Sequence, residues 1–435
     1  MDTFTKKMTI VFTLGLLLAA LLPAQIPMGS PGEDFPAATN NGNWVTTNSP
    51  RALYFEGEHK RTYVGWIERM GSIVVWSYDH ETGKEKSYTL QEDFHSDTHD
   101  NPAIHVRKDG RLQAFYTQHG KEKFIRSFVT TKAEDISSWE PVDHIQTTEG
   151  ATYTLVFRLS GENDRTYLFT RALEYHPTVL TSDDGGDNWS APVQLIGGGG
   201  ARPYQRMVSD GISRIHIAFT TGHPRNEPDN SVYYCYYEKG AFYKADGTFI
   251  KNWEDLPVFP SEVDLVYDGS TNGRAWTWDI AIGLDGHPVI AHGVYPEEDD
   301  HRYYYARWTG TEWFDKEFTK AGRWFPETPE GATEREPHYS PGYSLDHHDP
   351  SIVYLSKHVD ESTGPIEVQR WFTSDGGNSW TSKSITSGSK NLNGNPVGNW
   401  AFPYGSRPGQ KMVFWMNGKY RHYTDYNTGI RYWIE

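Results

Sequence analysis

Seven strand–turn–strand units recur along the chain, and this repetition limits the possible folds more than any other feature. They begin near Tyr63 (T-Y-V-G-W-I), Pro102 (P-A-I-H-V), Tyr153 (Y-T-L-V-F-R-L), Met207 (M-V-S-D-G), Asp279 (D-I-A-I-G-L-D-G-H-P-V-I), Pro350 (P-S-I-V-Y-L) and Met412 (M-V-F-W-M-N-G). Each unit has an apolar strand, a turn built on D-G or a related pair, a second strand, and then a strand rich in Trp or Tyr. Helical periodicity is almost absent, and 41 Gly and 25 Pro punctuate the short β-rich runs. Units of four strands repeating at roughly 40 to 70 residues are the signature of a β-propeller. The expectation is an all-β, seven-bladed propeller.

Two further segments sharpen it. Ser182 to Trp189 (S-D-D-G-G-D-N-W) and Ser374 to Trp380 (S-D-G-G-N-S-W) resemble the Asp-box, S-x-D-x-G-x-x-W. In that motif the Asp caps a turn between the outer strands of a blade and the Trp packs between blades.

The start of the chain reads differently. Lys6 and Lys7 precede an apolar run from Met8 to Leu22, and Leu22-Pro23-Ala24 offers a small-residue cleavage site. Residues 1–24 therefore read as a secretory signal peptide, and the run is too short to span a membrane. Residues 25–435 are expected to form one catalytic propeller domain, soluble and monomeric, secreted or periplasmic, with no membrane partner.

The formal net charge of −16 disfavours nucleic acid as a partner. It leaves room for an anionic substrate, because a local cluster of Arg and His can override the global sign. Aromatic abundance, with 16 Trp and 27 Tyr, suits sugar stacking and equally suits β-cores. The single cysteine, Cys235, precludes an intrachain disulfide.

Candidate chemistry begins with a histidine pair. His99 and His119 bracket one expected hairpin, with strands at Asn101–Val106 and Leu112–Thr117 and a turn at Lys108-Asp109-Gly110. A hairpin brings its ends together, so the two rings should be neighbours. Histidine titrates near neutral pH, which suits proton transfer. Tyr153 and Arg171 bracket a second hairpin, turning near Gly161 to Asp164, and should also meet. Arg202-Pro203-Tyr204-Gln205-Arg206 supplies a cationic and aromatic rim; Asn101, Arg202 and Tyr204 are the expected substrate contacts. His223 (in G-H-P-R-N-E-P), Cys235 and His347 or His348 could ligate zinc.

A Tyr, an Arg and two His on one propeller face suit β-elimination of a uronic acid. The reaction needs the carboxylate neutralised, a base for the C5 proton and an acid for the leaving O4. A hydrolase would instead use two carboxylates flanking the bond, and no comparably placed pair stands out.

The chain resembles the BNR-repeat, seven-bladed propeller polysaccharide lyases, the ulvan lyases especially. The match is carried by T-H-D-N-P-A-I with D-G-R-L-Q-A-F-Y-T-Q-H-G, by R-P-Y-Q-R, and by G-H-P-R-N-E-P-D-N-S-V-Y-Y. The resemblance implies that His99, His119, Tyr153 and Arg171 form the catalytic set. It implies a structural Zn²⁺ held through His223 and Cys235, with the remaining ligands left open. It also implies an anionic substrate: ulvan, a polymer of rhamnose 3-sulfate with glucuronic or iduronic acid, cleaved to leave an unsaturated uronic acid end. Three other readings compete. A sialidase would need an Arg triad and an early R-I-P segment, where this chain has S-P-R-A-L. A propeller acting on rhamnose–glucuronate linkages of plant gums would use a different face. A non-catalytic glycan-binding propeller would make no unsaturated product.

Overall fold

The computed structural model describes residues 26–45, 51–198, 202–297, 299–322, 342–359, 365–398, 400–401 and 411–435. The leader read over residues 1–24 lies outside them. Among the described residues seven sheets follow one another around the chain, antiparallel apart from the pairing of Ala52–Glu56 with Trp400–Ala401. Blade 1 holds strands Ala52–Glu56, Lys60–Ile67, Ile73–Asp79 and Glu85–Gln91, and blade 2 begins at Ala103–Val106. Blades 3, 4, 5 and 6 begin at Thr152–Leu159, Gln205–Ser209, Arg274–Ile282 and Tyr343–Leu345. Blade 7 combines Leu392–Gly398, Met412–His422 and Asp425–Ile434 with Ala37–Thr39 from the other end of the chain. Pairing of that early strand with the last one closes the ring and hides two sheet edges. The expected seven-bladed propeller is the observed fold.

Both faces of a blade are buried, which explains why simple alternation is weak in the sequence. Each blade interface has its own apolar cluster. Tyr63, Val75, Ile104 and Leu112 pack between blades 1 and 2, for example, and Phe157, Phe169, Ile217 and Cys235 between blades 3 and 4. The strand Ile73–Asp79 is buried along its whole length. Three of the seven repeat units read from sequence, those near Tyr63, Pro350 and Met412, open on the second strand of a blade. The innermost strands before them, Ala52–Glu56, Tyr343–Leu345 and Leu392–Gly398, carry weaker patterns.

The two S-x-D-x-G-x-x-W-like segments form equivalent turns. Asp184 accepts from the Ser182 hydroxyl and from the backbone N–H groups of Asp187 and Asn188. Asp375 does the same for the Thr373 hydroxyl and the Ser379 N–H, so Thr373 fills the serine position. Each Trp indole N–H closes its turn, Trp189 onto Gly186 and Trp380 onto Gly377. Their rings then pack on the preceding blade, Trp189 against Phe115 and Trp380 against Tyr305. No helix among the described residues is long and apolar enough to cross a membrane.

Candidate active site

The turns that enter the innermost strands, and those joining second to third strands, share one face of the propeller. His99 and His119 meet on this face. The hairpin pairs Ala103 with Phe115 and Val106 with Leu112. It delivers the short helical turn Thr98–Asp100 and the segment after Tyr116 to one place. The two imidazoles stack with centroids 3.9 Å apart.

Asp97 holds the pair. Its Oδ1 lies 2.6 Å from His99 Nδ1 and its Oδ2 2.8 Å from His119 Nδ1. The same carboxylate caps the turn through the His99 N–H. With Nδ1–H donated to a carboxylate, a neutral imidazole carries its lone pair on Nε2, the arrangement of a general base. Burial of Asp97 opposes its charge, but the His99 charge and the hydrogen bonds from both rings outweigh it. The carboxyl is held well below the usual range. Burial and then repulsion from His99 lower the pKa of His119, which favours its neutral form. A second carboxylate steadies the turn. Asp100 accepts the His119 N–H at 2.9 Å and contacts His95 Nδ1 at 2.6 Å.

Tyr153 and Arg171 also come together. Thr152 pairs with Arg171, and the register then slips, so that Leu155 faces Phe169. The bulge leaves Tyr153 at φ 66°, a left-handed conformation that costs a non-glycine residue about 1–2 kcal/mol. The bulge also re-aims Tyr153 toward the histidines; its ring centre is 5.6 Å from that of His99. The Arg171 guanidinium lies 4.8 Å from the Tyr153 ring centre and 5.2 Å from that of Tyr204. Arg171 is 4% exposed, and its Nε and Nη1 have no acceptor among the described residues. Burial opposes its charge, yet the neighbouring Tyr204 and Tyr153 outweigh this and raise its pKa.

Of the expected substrate contacts, Tyr204 is in the cluster. Its hydroxyl lies 3.4 Å from that of Tyr153 and its ring packs edge-on against Trp276. Arg202 stands at the exposed rim with its guanidinium 4.8 Å from the Tyr175 ring centre. Asn101 is fully buried, and its side-chain oxygen accepts the Val45 N–H. Sequence reasoning missed three participants. Asp97 carries the signal of an Asp two residues before a His. Tyr423 meets the edges of both rings, at 4.7 Å from His99 and 5.7 Å from His119. It arrives from blade 7, so no local pattern pointed to it. Trp276 joins from blade 5, packing 5.1 Å from His223.

Among the described residues, the expected zinc ligands do not form one cluster. His223 lies with Tyr204 and Trp276, and its Nδ1 accepts the Arg225 N–H. Cys235 is mid-strand, paired with Ile217 and enclosed by the apolar cluster between blades 3 and 4. Side chains alternate along a strand, so Cys235 and Tyr237 face blade 3 while Tyr234 and Tyr236 face blade 5. Cys235 is also three residues, about 10 Å, inward from the loop that carries His223. His347 instead donates its Nε2–H to the Asp279 carboxylate, 3.1 Å from each oxygen, fastening blade 6 to blade 5. His348 sits in the same connection, its N–H bonded to Asp346. The donor set does not fit a tetrahedral zinc site. Among the described residues, Asp97, His99 and His119 are the one group of three with ligand atoms within 4.8 Å of one another. The Asp97 oxygens and both Nδ1 atoms already hydrogen-bond to one another.

Cys235→Ser is therefore expected to destabilise by about 1–3 kcal/mol, by burying a hydroxyl among apolar side chains. Melting curves with and without a chelator check this. A chelator that lowers the midpoint of wild type but not of the variant would restore a metal on Cys235.

The match to a family model described as "BNR repeat-containing family member" runs over residues 61–321. No curated protein matches the chain. Among solved structures, a polysaccharide lyase described as PL25 ulvan lyase is similar at 16% identity, covering 94% of this chain and 95% of its own, with a TM-score of 0.64. Its complex with -[GlcA(1-4)Rha3S]- is similar at 15% identity, with the same coverages and TM-score. The Hadza microbial sialidase Hz136 is similar at 10% identity, covering 83% of this chain and 73% of its own, with a TM-score of 0.40. With more than half of its length matched by the family model, the chain belongs to the BNR repeat-containing family.

Proposed function

We propose that this protein is an exported polysaccharide lyase. It cleaves a uronic-acid-containing, ulvan-type polysaccharide by β-elimination and leaves an unsaturated uronic acid end. The observation that carries the reading is Arg171: a buried guanidinium with two nitrogens lacking acceptors, beside Tyr153 and the carboxylate-held histidine pair. An unpaired buried cation is costly, and a substrate carboxylate would satisfy it. The bound lyase of the same fold carries a glucuronate–rhamnose sulfate fragment, which supports this choice of polymer.

The geometry supports the following roles. Arg171 binds and neutralises the uronate carboxylate, so that charge from C5 can delocalise onto it. Tyr153 takes the C5 proton of glucuronate and returns one to the leaving O4. His99, with Nδ1 held by Asp97, serves as base for iduronate, whose C5 proton lies on the opposite face. His119 stays neutral and orients the carboxylate. No zinc enters these steps.

The test is incubation with ulvan, gum arabic and glycosaminoglycans while following the ultraviolet absorbance of the conjugated uronate. Growth of that absorbance on ulvan is expected. Growth on none of the polymers, with ulvan shortened all the same, would exclude elimination. Arg171→Ala is expected to raise KM and lower kcat together, because the carboxylate is charged before and during reaction. The combined loss in kcat/KM should be at least about 10²-fold. A change confined to KM would leave Arg171 as a binding residue alone.

A further inference from the structure

Among the described residues, Tyr175 is an exposed aromatic of this face with no task in the mechanism. It sits in the two-residue turn joining strand Arg165–Leu173 to strand His176–Ser182. Glu174 and Tyr175 both have positive φ, 47° and 62°. A turn of this shape favours Asn-Gly, because each non-glycine residue there costs about 1–2 kcal/mol. The chain keeps Glu-Tyr and anchors the turn by donating the Glu174 N–H to Glu149, at 2.7 Å. The outcome is a tyrosine ring held 48% exposed. Strain held at an exposed position is a reason to look for a function.

The surroundings supply one. The Arg171 guanidinium lies 5.8 Å from the Tyr175 ring centre and that of Arg202 lies 4.8 Å from it. Arg202 also holds a left-handed backbone, at φ 62°. Rings and cations thus alternate in one row, Tyr153, Arg171, Tyr175 and Arg202, running from the buried site to solvent. Neither Arg171 nor Arg202 has a carboxylate partner among the described residues. This row is positive within a chain of formal charge −16. Two uncommitted guanidinium groups bracketing one exposed ring match a chain of sugars with anionic groups on successive residues.

We propose that Tyr175 and Arg202 form a second sugar subsite beside the uronate position. Tyr175 packs its exposed part against the ring of the neighbouring sugar, and Arg202 takes an anionic substituent on it, a sulfate ester or a carboxylate. The inference rests on the reading of Arg171 as the uronate site.

Titration calorimetry with ulvan oligosaccharides, in the slow Tyr153→Phe background and completed before turnover is appreciable, tests it. Tyr175→Ala should weaken binding about tenfold and Tyr175→Trp should restore it. Arg202→Gln should weaken binding of sulfated ulvan about tenfold. If the group is a sulfate, that loss vanishes with desulfated ulvan; if it is a carboxylate, the loss persists. Either pattern supports the subsite. Unchanged affinity in both Tyr175→Ala and Arg202→Gln, with a parent that binds ulvan, would overturn it and leave the lyase reading standing. A parent that binds no uronate polymer would sink the lyase reading itself, and the subsite with it.

Discussion

Replacing Tyr153 with phenylalanine is expected to lower kcat by about 10²- to 10⁴-fold, the usual cost of losing a general acid or base. The substitution removes one oxygen and keeps the ring. The left-handed backbone at φ 66° is as accessible to Phe as to Tyr, so the bulge should persist. Arg171 still finds an aromatic face 4.8 Å away, and Tyr204 still backs it at 5.2 Å. Affinity for ulvan oligosaccharides should therefore change far less than turnover. Steady-state rates with ulvan and calorimetric affinities check the two halves separately. A variant with near wild-type formation of unsaturated product would remove Tyr153 from the acid and base roles.

Asp97→Asn should be comparably damaging, although Asp97 is placed to act only through its two partners. An amide oxygen can accept one Nδ1–H, but the amide NH₂ must donate to the other ring. One imidazole must then move its proton to Nε2 and lose the lone pair that makes it a base. A loss of about 10²- to 10⁴-fold in kcat is expected, on the scale seen when a carboxylate that orients a catalytic histidine is neutralised. The pH–rate profile separates this from simple loosening. The tautomer change should shift its acid limb, because Asp97 no longer stabilises a protonated ring. An unchanged profile with an unchanged kcat would contradict the role of Asp97.

Much of this site was legible in the sequence because hairpins have strict geometry. Lys108-Asp109-Gly110 and the turn near Gly161 to Asp164 fixed two registers, and with them the pairing of His99 with His119 and of Tyr153 with Arg171. The bulge at Tyr153 was not legible, since one extra residue leaves no clear mark in a run that is buried on both faces. Asp97 was overlooked although it lies two residues from His99. Its importance comes from reaching a second ring twenty-two residues away. Tyr423 depends on closure of the ring, which brings blade 7 over the turn before blade 2. The scatter of the expected zinc ligands has a reason that was available in advance. The run V-Y-Y-C-Y-Y-E alternates faces, and the parity of Cys235 points it into the interface with blade 3.

The central claim is elimination rather than hydrolysis, and the origin of the new oxygen atoms decides it. Ulvan can be cleaved in water enriched in heavy oxygen and the products weighed by mass spectrometry. Elimination breaks the bond to O4 without adding water, so the account predicts unsaturated uronate ends and no isotope incorporated in the cleavage step. Saturated ends carrying one heavy oxygen per cleavage would show hydrolysis and contradict it.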